Sequence, residues 1–294
     1  MSAWHWLRRN AVSVFAGLAI LYLLIPIALI AVYSFNDPDG KYNYTWNGFT
    51  TDYWTDMFGL EPLNEAMLTS LELAAITTAV SLILGTLIAL ALVRHQFLGR
   101  RAANLLIVIP MATPEVVIGA ALLSLFVNMS ATLGFTTLVI AHVMFQISFV
   151  VIVVRSRLIG FDRSIEEAAR DLGASPWTTF RTVTLPLLAP GLIGAGLFAF
   201  ALSIDDFVIS DFNSGQTETF PLYIFAGLSK GIPVQVYVLA TLLFLVTVAA
   251  MALVTWQQRR AEQMASVRPD DDEATGLGAL ASGTDPVARA GSAS

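Results

Sequence analysis

The feature that most constrains this chain is a series of apolar runs, each long enough to cross a bilayer and almost free of charge. A membrane-spanning helix needs about 20 mostly apolar residues at 1.5 Å of rise each. The first such run lies between Arg9 and Asp37, with its heart at residues 11–33, and a second covers residues 73–93. Residues 102–154 hold only Glu115 and His142 as ionisable groups and are too long for one crossing. The polar patch Asn128 to Gly134 divides them into spans near 103–127 and 133–154. Two more runs, 187–204 and 236–256, complete six. Continuous runs of this length do not resemble the alternating ten-residue strands of a β-barrel, the other architecture that can span lipid. The expected fold is therefore an all-α membrane protein of six transmembrane helices. Composition agrees: 13% of residues are charged, against about 25% in soluble domains, so a soluble enzyme, a disordered chain and a secreted disulfide scaffold are all excluded.

Arginine and lysine orient the spans, because cytoplasmic loops retain positive charge. With the N terminus inside, 14 of the 16 basic residues fall on the cytoplasmic side, among them Arg94, Arg100, Arg101, Arg155, Arg157, Arg163, Arg170 and Arg181. Only Lys41 and Lys230 fall outside. Both termini are expected in the cytoplasm. Residues 1–10 are a short cytoplasmic start, 11–260 the six-helix domain, and 261–294 a solvated disordered tail led by Asp270-Asp271-Asp272-Glu273. The first span exceeds a signal-peptide core and no convincing cleavage site follows it, so it is expected to remain uncleaved.

Cysteine is absent, so disulfides, thiolate nucleophiles and Cys-bound zinc are impossible. His5, His95 and His142 are far apart in sequence, and no metal site is expected. Neither a nucleophile–base pair nor a carboxylate dyad is visible, so no catalytic residue, cofactor or nucleic-acid partner is expected. A nucleotide-binding P-loop requires Gly-x-x-x-x-Gly-Lys-Ser/Thr. Lys41 precedes Tyr42 and Lys230 precedes Gly231, so neither lysine fits and the energy for any transport comes from another chain or an ion gradient.

The most informative cytoplasmic stretch lies between spans four and five, residues 155–186. Ser164-Ile165-Glu166-Glu167 matches a capping box, predicting a short helix over 165–172 that ends at Gly173, which tolerates positive φ. Ser175-Pro176 then restarts a helix, the cap preceding proline at the first helical position. The elbow so formed shows a small-residue surface, Ala168-Ala169, flanked by Glu166, Glu167, Arg170 and Asp171. From spacing alone an ordinary interfacial hairpin explains it equally well.

Glu167-Ala168-Ala169-Arg170-Asp171-Leu172-Gly173, followed after nine residues by Val183-Thr184-Leu185-Pro186, resembles the EAA motif of ABC importer permeases. Val183 stands where isoleucine is usual, the one departure. The resemblance implies a type I importer fold with a coupling elbow that docks on an ATPase through Glu166, Glu167, Ala168, Ala169, Arg170, Asp171 and Gly173. Glu167 is left as a cap, a partner contact or both. Weaker strings extend the likeness to the spermidine/putrescine permeases of the PotC type. They include Ser34-Phe35-Asn36, Leu68-Thr69-Ser70-Leu71, Pro114-Glu115-Val116-Val117-Ile118-Gly119, Ser156-Arg157-Leu158, Gly160-Phe161-Asp162 and the run Leu202 to Ser210. What the likeness implies is half of a polyamine pathway in a prokaryotic cell membrane. Its partners would be a second related permease, two copies of a cytoplasmic ATP-binding subunit, an external substrate-binding protein and the surrounding lipid. Ferric iron or another small solute on the same scaffold, and an ion-coupled transporter without an ATPase, are the alternatives.

Residue chemistry points the same way. An ionisable group at mid-span costs about 2.5–3.5 kcal/mol on insertion scales and marks a functional position. Glu115 is such a group, and Pro110 and Pro114 beside it should kink span three. Asp205 and Asp206 are expected to cap the outer end of span five, with Phe207, Phe212 and Tyr223 near. A cationic amine needs carboxylates in place of water and gains from aromatic faces. Glu115, Asp205, Asp206 and Phe207 are therefore the candidate pathway residues. The outer loop 36–68 carries six acids and interleaved aromatics, Trp46, Phe49, Tyr53, Trp54 and Phe58, which suit an interfacial belt.

Overall fold

The computed structural model describes residues 10–160 and 162–266. Arg8, Arg9, Phe161, Arg268, Arg289 and the acidic run at 270–273 lie outside the described residues, as does the tail beyond Ser266. The chain divides into two compact units, Met1–Thr241 and Leu242–Ser294.

Helix α1 (Ala11–Tyr33) is apolar on every side, and none of its residues is buried by the rest of the chain. A loop closed by one antiparallel bridge, Asn36 with Phe49, leads through the single turn α2 (Asp52–Thr55) to α3 (Glu61–Arg94). At 34 residues α3 runs about 51 Å, well beyond a 30 Å hydrocarbon core. The sequence places its start near Leu73; it begins twelve residues earlier because Pro62 opens the helix and Leu63, Ala66, Met67 and Ser70 are buried. Leu63 and Met67 pack there with Phe220, Val236 and Leu239.

The third span is broken. Helices α4 (Arg100–Ala112) and α5 (Glu115–Asn128) meet at 112°. Thr113, forced extended by the proline that follows (ψ 134°), and Pro114 (ψ 136°) leave the helical region, so the expected kink is a break. Then come α6 (Phe135–Ile159), the elbow helices α7 (Ser164–Asp171) and α8 (Pro176–Thr179), a five-residue π-helical turn (Phe180–Thr184) and α9 (Leu185–Ile204). Two short helices, α10 (Val208–Asn213) and α11 (Phe220–Gly227), precede α12 (Val234–Ser266). Five helical segments are long and apolar enough to cross a membrane, and the bent pair makes a sixth.

Helices α3, α6 and α9 form the central packing unit, around Ala89, Leu92, Val150, Val151, Val154, Leu188, Ala195 and Ala199. Lipid offers apolar side chains no reason to leave it, so close backbone approach through small residues does the work here. A Cβ on Gly85 would come 2.6 Å from Val150 Cγ1, and one on Gly196 would come 3.1 Å from Leu82 Cδ1. Gly194, one turn-face away on α9, has nothing within 4 Å. We therefore expect Gly85→Leu to destabilise the protein by about 1–3 kcal/mol through overpacking, and Gly194→Leu to leave it unchanged. Thermal unfolding of the purified variants in detergent measures both.

Candidate functional site

Span five also breaks, and the break places the acidic residues. Helix α9 stops at Ile204, and α10 begins at Val208. Asp206 is buried, and its carboxylate accepts the backbone N–H groups of Ile209 (3.3 Å) and Ser210 (2.8 Å) and the Ser210 hydroxyl (2.9 Å). From one residue before the N-cap, Phe207, it takes up free N–H groups of the first turn of α10, where a negative charge is favoured. His142 Nε2 stands 3.3 Å from the same oxygen. His142 lies seven residues inward from the outer start of α6, about 10 Å along the axis. Asn213, at the far end of α10, accepts the Thr137 hydroxyl at 2.8 Å. Asp206 therefore sits within the bundle, at the level of His142, and not at the outer end of the span as the sequence suggested, whereas Asp205 is the exposed C-cap residue of α9, where a cap was expected; α10 continues outward beside α6.

Asp205 faces the open side of the chain and is within electrostatic reach of both Asp206 and Glu115. Glu115 is likewise exposed, in the first turn of α5 immediately after the 112° break. Its carboxylate therefore stands at the positive end of a helix rather than in the middle of one. The two breaks are held together by α5 against α10: the Asn213 side-chain amide donates to the Gly119 carbonyl (3.3 Å), and Phe212 lies on Gly119 so closely that a Cβ there would meet its ring at 2.8 Å. Phe207 contacts Phe225 with ring centroids 4.5 Å apart. Asp205, Asp206 and Phe207 thus stand on one turn, with Glu115 within electrostatic reach; among the described residues Asp205 and Glu115 are in no ion pair, whereas Asp206 is engaged. Tyr223 turns away into the cluster around Leu63 and Phe220.

A buried polar seam, not anticipated from sequence, extends from Asp206 across three helices. His142 contacts Ser210 through Nε2 (3.1 Å) and Ser203 through Nδ1 (2.9 Å). The Thr77 hydroxyl reaches Ser203 at 3.3 Å, the Gln146 amide reaches Thr77 at 3.4 Å, and the Ser81 hydroxyl reaches Gln146 at 3.4 Å. Each such bond across helices in lipid is worth about 0.6 kcal/mol on average. The signal was present: Thr77 and Ser81, like His142 and Gln146, are polar residues four apart on otherwise apolar spans, which puts each pair on one helix face. No group of three or more His, Asp or Glu side chains that could hold a metal is found among the described residues.

At the cytoplasmic end the elbow forms as expected, with its caps rearranged. Helix α7 begins at Ser164, whose N–H donates to the Asp162 carboxylate at 2.9 Å, so Asp162 replaces the Ser164 capping box. That bond holds the Asp162 carboxyl below the usual carboxylate range. Gly173 has φ +87°, its N–H bonds Arg170 O (2.8 Å), and Ala174 N–H bonds Ala169 O (3.1 Å), a Schellman closure. Ser175 Oγ accepts the Thr178 N–H at 3.2 Å. Glu167, Ala168, Arg170 and Asp171 are exposed and Ala169 half-buried, whereas Glu166 is buried against Arg94 and Thr184. Leu172, 90% exposed, and Trp177, 68% exposed, extend the outward face with apolar surface.

Residues 81–263 match the family described as binding-protein-dependent transport system inner membrane component. The chain belongs to this family. Among its relatives is the spermidine/putrescine transport system permease protein PotC of Haemophilus influenzae, 37% identical over 246 residues, covering 83% of this chain and 94% of the relative. The putrescine transport system permease protein PotI of Escherichia coli K12 is 36% identical over 247 residues, 81% and 87% of the respective chains. In fold, the chain is similar to a subunit of a bacterial ABC transporter involved in importing the acidic polysaccharide alginate (TM-score 0.62, 18% identity, 88% of this chain and 98% of that one). It is an inner-membrane component with the ABC importer permease fold.

The two aspartates should separate in stability. Asp206→Ala removes the acceptor of the first-turn N–H groups of α10 and leaves buried donors unpaired, and we expect a loss of about 2–3 kcal/mol. Asp205→Ala, at an exposed position, should stay within about 0.5 kcal/mol of the parent. Thermal unfolding in lipid nanodiscs distinguishes them.

Proposed function

We propose that this chain is one permease subunit of an ATP-driven importer of polyamines, spermidine and putrescine. The observation that carries this reading is 37% identity to a spermidine/putrescine permease over 94% of that relative, and it is supported by two exposed carboxylates, Glu115 and Asp205, each beside an interruption of a helix and in no ion pair among the described residues. A diamine or triamine leaving water needs anionic partners along its path. In a bilayer such groups are tolerated where broken helices line a cavity. Glu115 and Asp205 contact the ammonium groups, Phe207 offers a ring face, and Asp206 holds the first turn of α10 in place. A second related permease supplies the other half of the path, and an external binding protein delivers the substrate.

Two copies of an ATP-binding subunit drive the cycle, one docking on the outward face of α7. Glu167, Ala168, Ala169, Arg170, Asp171 and Gly173 form that face: the alanines allow close approach, and Gly173 makes the turn that presents it. Leu172 and Trp177 are exposed apolar groups at the same end, suited to burial by a protein partner. ATP-driven closure favours one orientation of the elbow over the other, which is coupling by differential affinity.

Two measurements test the reading. In proteoliposomes holding the complete complex, radiolabelled spermidine uptake should require ATP and fall at least tenfold in Glu115→Gln or Asp205→Asn; full uptake in both removes these residues from the path. Glu167→Lys or Gly173→Trp should abolish uptake while the chain still inserts in the membrane, and uptake equal to the parent in either would overturn the docking assignment.

A further inference from the structure

Glu166 stands next to the docking face but points away from it. It is 4% exposed, in a loop region otherwise open to water, and a carboxylate so placed is costly unless every oxygen is matched. Here both oxygens are. Arg94, the last residue of α3, forks onto them, with Nη2 donating to Oε1 at 2.6 Å and Nη1 to Oε2. The Thr184 hydroxyl, the last residue of the π-helical turn that opens α9, donates to Oε1. A second tie runs parallel: Arg163 Nη2 donates to the Val93 carbonyl at 3.0 Å. Through Glu166 the elbow is thus fastened to the ends of two core helices, α3 and α9, and Arg163 adds a backbone tie to α3.

We propose that Glu166, Arg94 and Thr184 form the strut through which movement of the elbow reaches the core, positioning residues for transport rather than part of the ATPase contact. The inference rests on the permease reading above and deepens it. A bidentate arginine–carboxylate pair fixes direction as well as distance, so a displacement of α7 carries the ends of α3 and α9 with it. An apolar contact of equal area would hold the elbow in place but let it slide. The π-helical turn supplies the local irregularity at the α9 end; such turns recur at functional positions. Thr77, midway along α3, and Ser203, at the far end of α9, belong to the polar seam that reaches Asp206, so the helices moved at the elbow are those that set Asp206.

The test uses the complete reconstituted complex and the variants Glu166→Gln, Arg94→Gln and the double variant. None alters the outward face of α7, so copurification of the ATP-binding subunit should match the parent; the melting temperature should fall in Arg94→Gln, which leaves the buried Glu166 carboxylate unpaired, and recover in the double variant, in which uptake per ATP stays low. ATP hydrolysis should stay within about twofold, while spermidine carried per ATP falls at least tenfold. The double variant should be no worse than either single one, because the strut is already cut. Uptake per ATP equal to the parent would overturn the proposal. So would a loss of uptake that merely tracks lost assembly or a lowered melting temperature, since that is a structural role.

A second readout does not depend on the substrate. The chain has no cysteine, so Ser164→Cys and Gln96→Cys carry a clean pair of spin labels on the elbow and just beyond α3. With ATP bound or absent, their separation should stay constant in the parent and shift or broaden in Glu166→Gln. A separation that changes with ATP in the parent itself, or stays fixed in the variant, refutes the strut. If the parent complex carries no polyamine, the substrate reading fails while this distance still decides the strut.

Discussion

Everything here depends on one constraint: inside lipid, backbone N–H and C=O groups must find partners within the protein. Continuous helices meet it automatically, and α1, α3 and α6 do so over 23, 34 and 25 residues. A break does not. Each interruption of a span must be compensated locally, and the compensating groups are the polar residues that give the protein its chemistry. At Asp205–Phe207 the freed N–H groups of α10 are taken by Asp206. At Thr113–Pro114, proline removes a donor and the chain turns by 112°.

That logic ties the outer carboxylates to the elbow. The central helices α3, α6 and α9 approach through glycine and alanine, which makes them a rigid group, and a line of buried hydroxyl, amide and imidazole groups crosses it from Ser81 to Asp206. At the inner end the same helices α3 and α9 are gripped by Glu166. A rigid group with polar attachments at both ends can transmit a tilt from one face of the membrane to the other without any helix bending.

How much of this was legible in the sequence follows the range of the interactions. Hydropathy marked the spans because that signal is local and additive. Gly173 and the Ser175 cap were legible for the same reason: turn and cap chemistry is decided within four residues. The outer extension of α3 was not, because Leu63 and Met67 are buried by residues more than 150 positions away. Likewise Glu166 and Glu167 look equivalent in sequence, and only Arg94 and Thr184, distant along the chain, turn one inward and leave the other exposed. The depth of Asp206 was missed because a helix that breaks and resumes reads like one that has ended. His142 was set aside as isolated, although its four-residue spacing from Gln146 marked a polar face.

The proposed pathway is most exposed to test at the two breaks, where Glu115 and Asp205 are proposed to face a water-filled path that polyamines occupy. The most direct measurement is cysteine accessibility in this cysteine-free chain, assembled with its partners, at residues 115 and 205, with Val127, exposed on α5, as a reference. The prediction is rapid reaction of cysteines at 115 and 205 with a small cationic thiol reagent, slowed severalfold by spermidine, and no reaction at 127. Cysteines at 115 and 205 as unreactive as that at 127, or reactive but indifferent to spermidine, would contradict it.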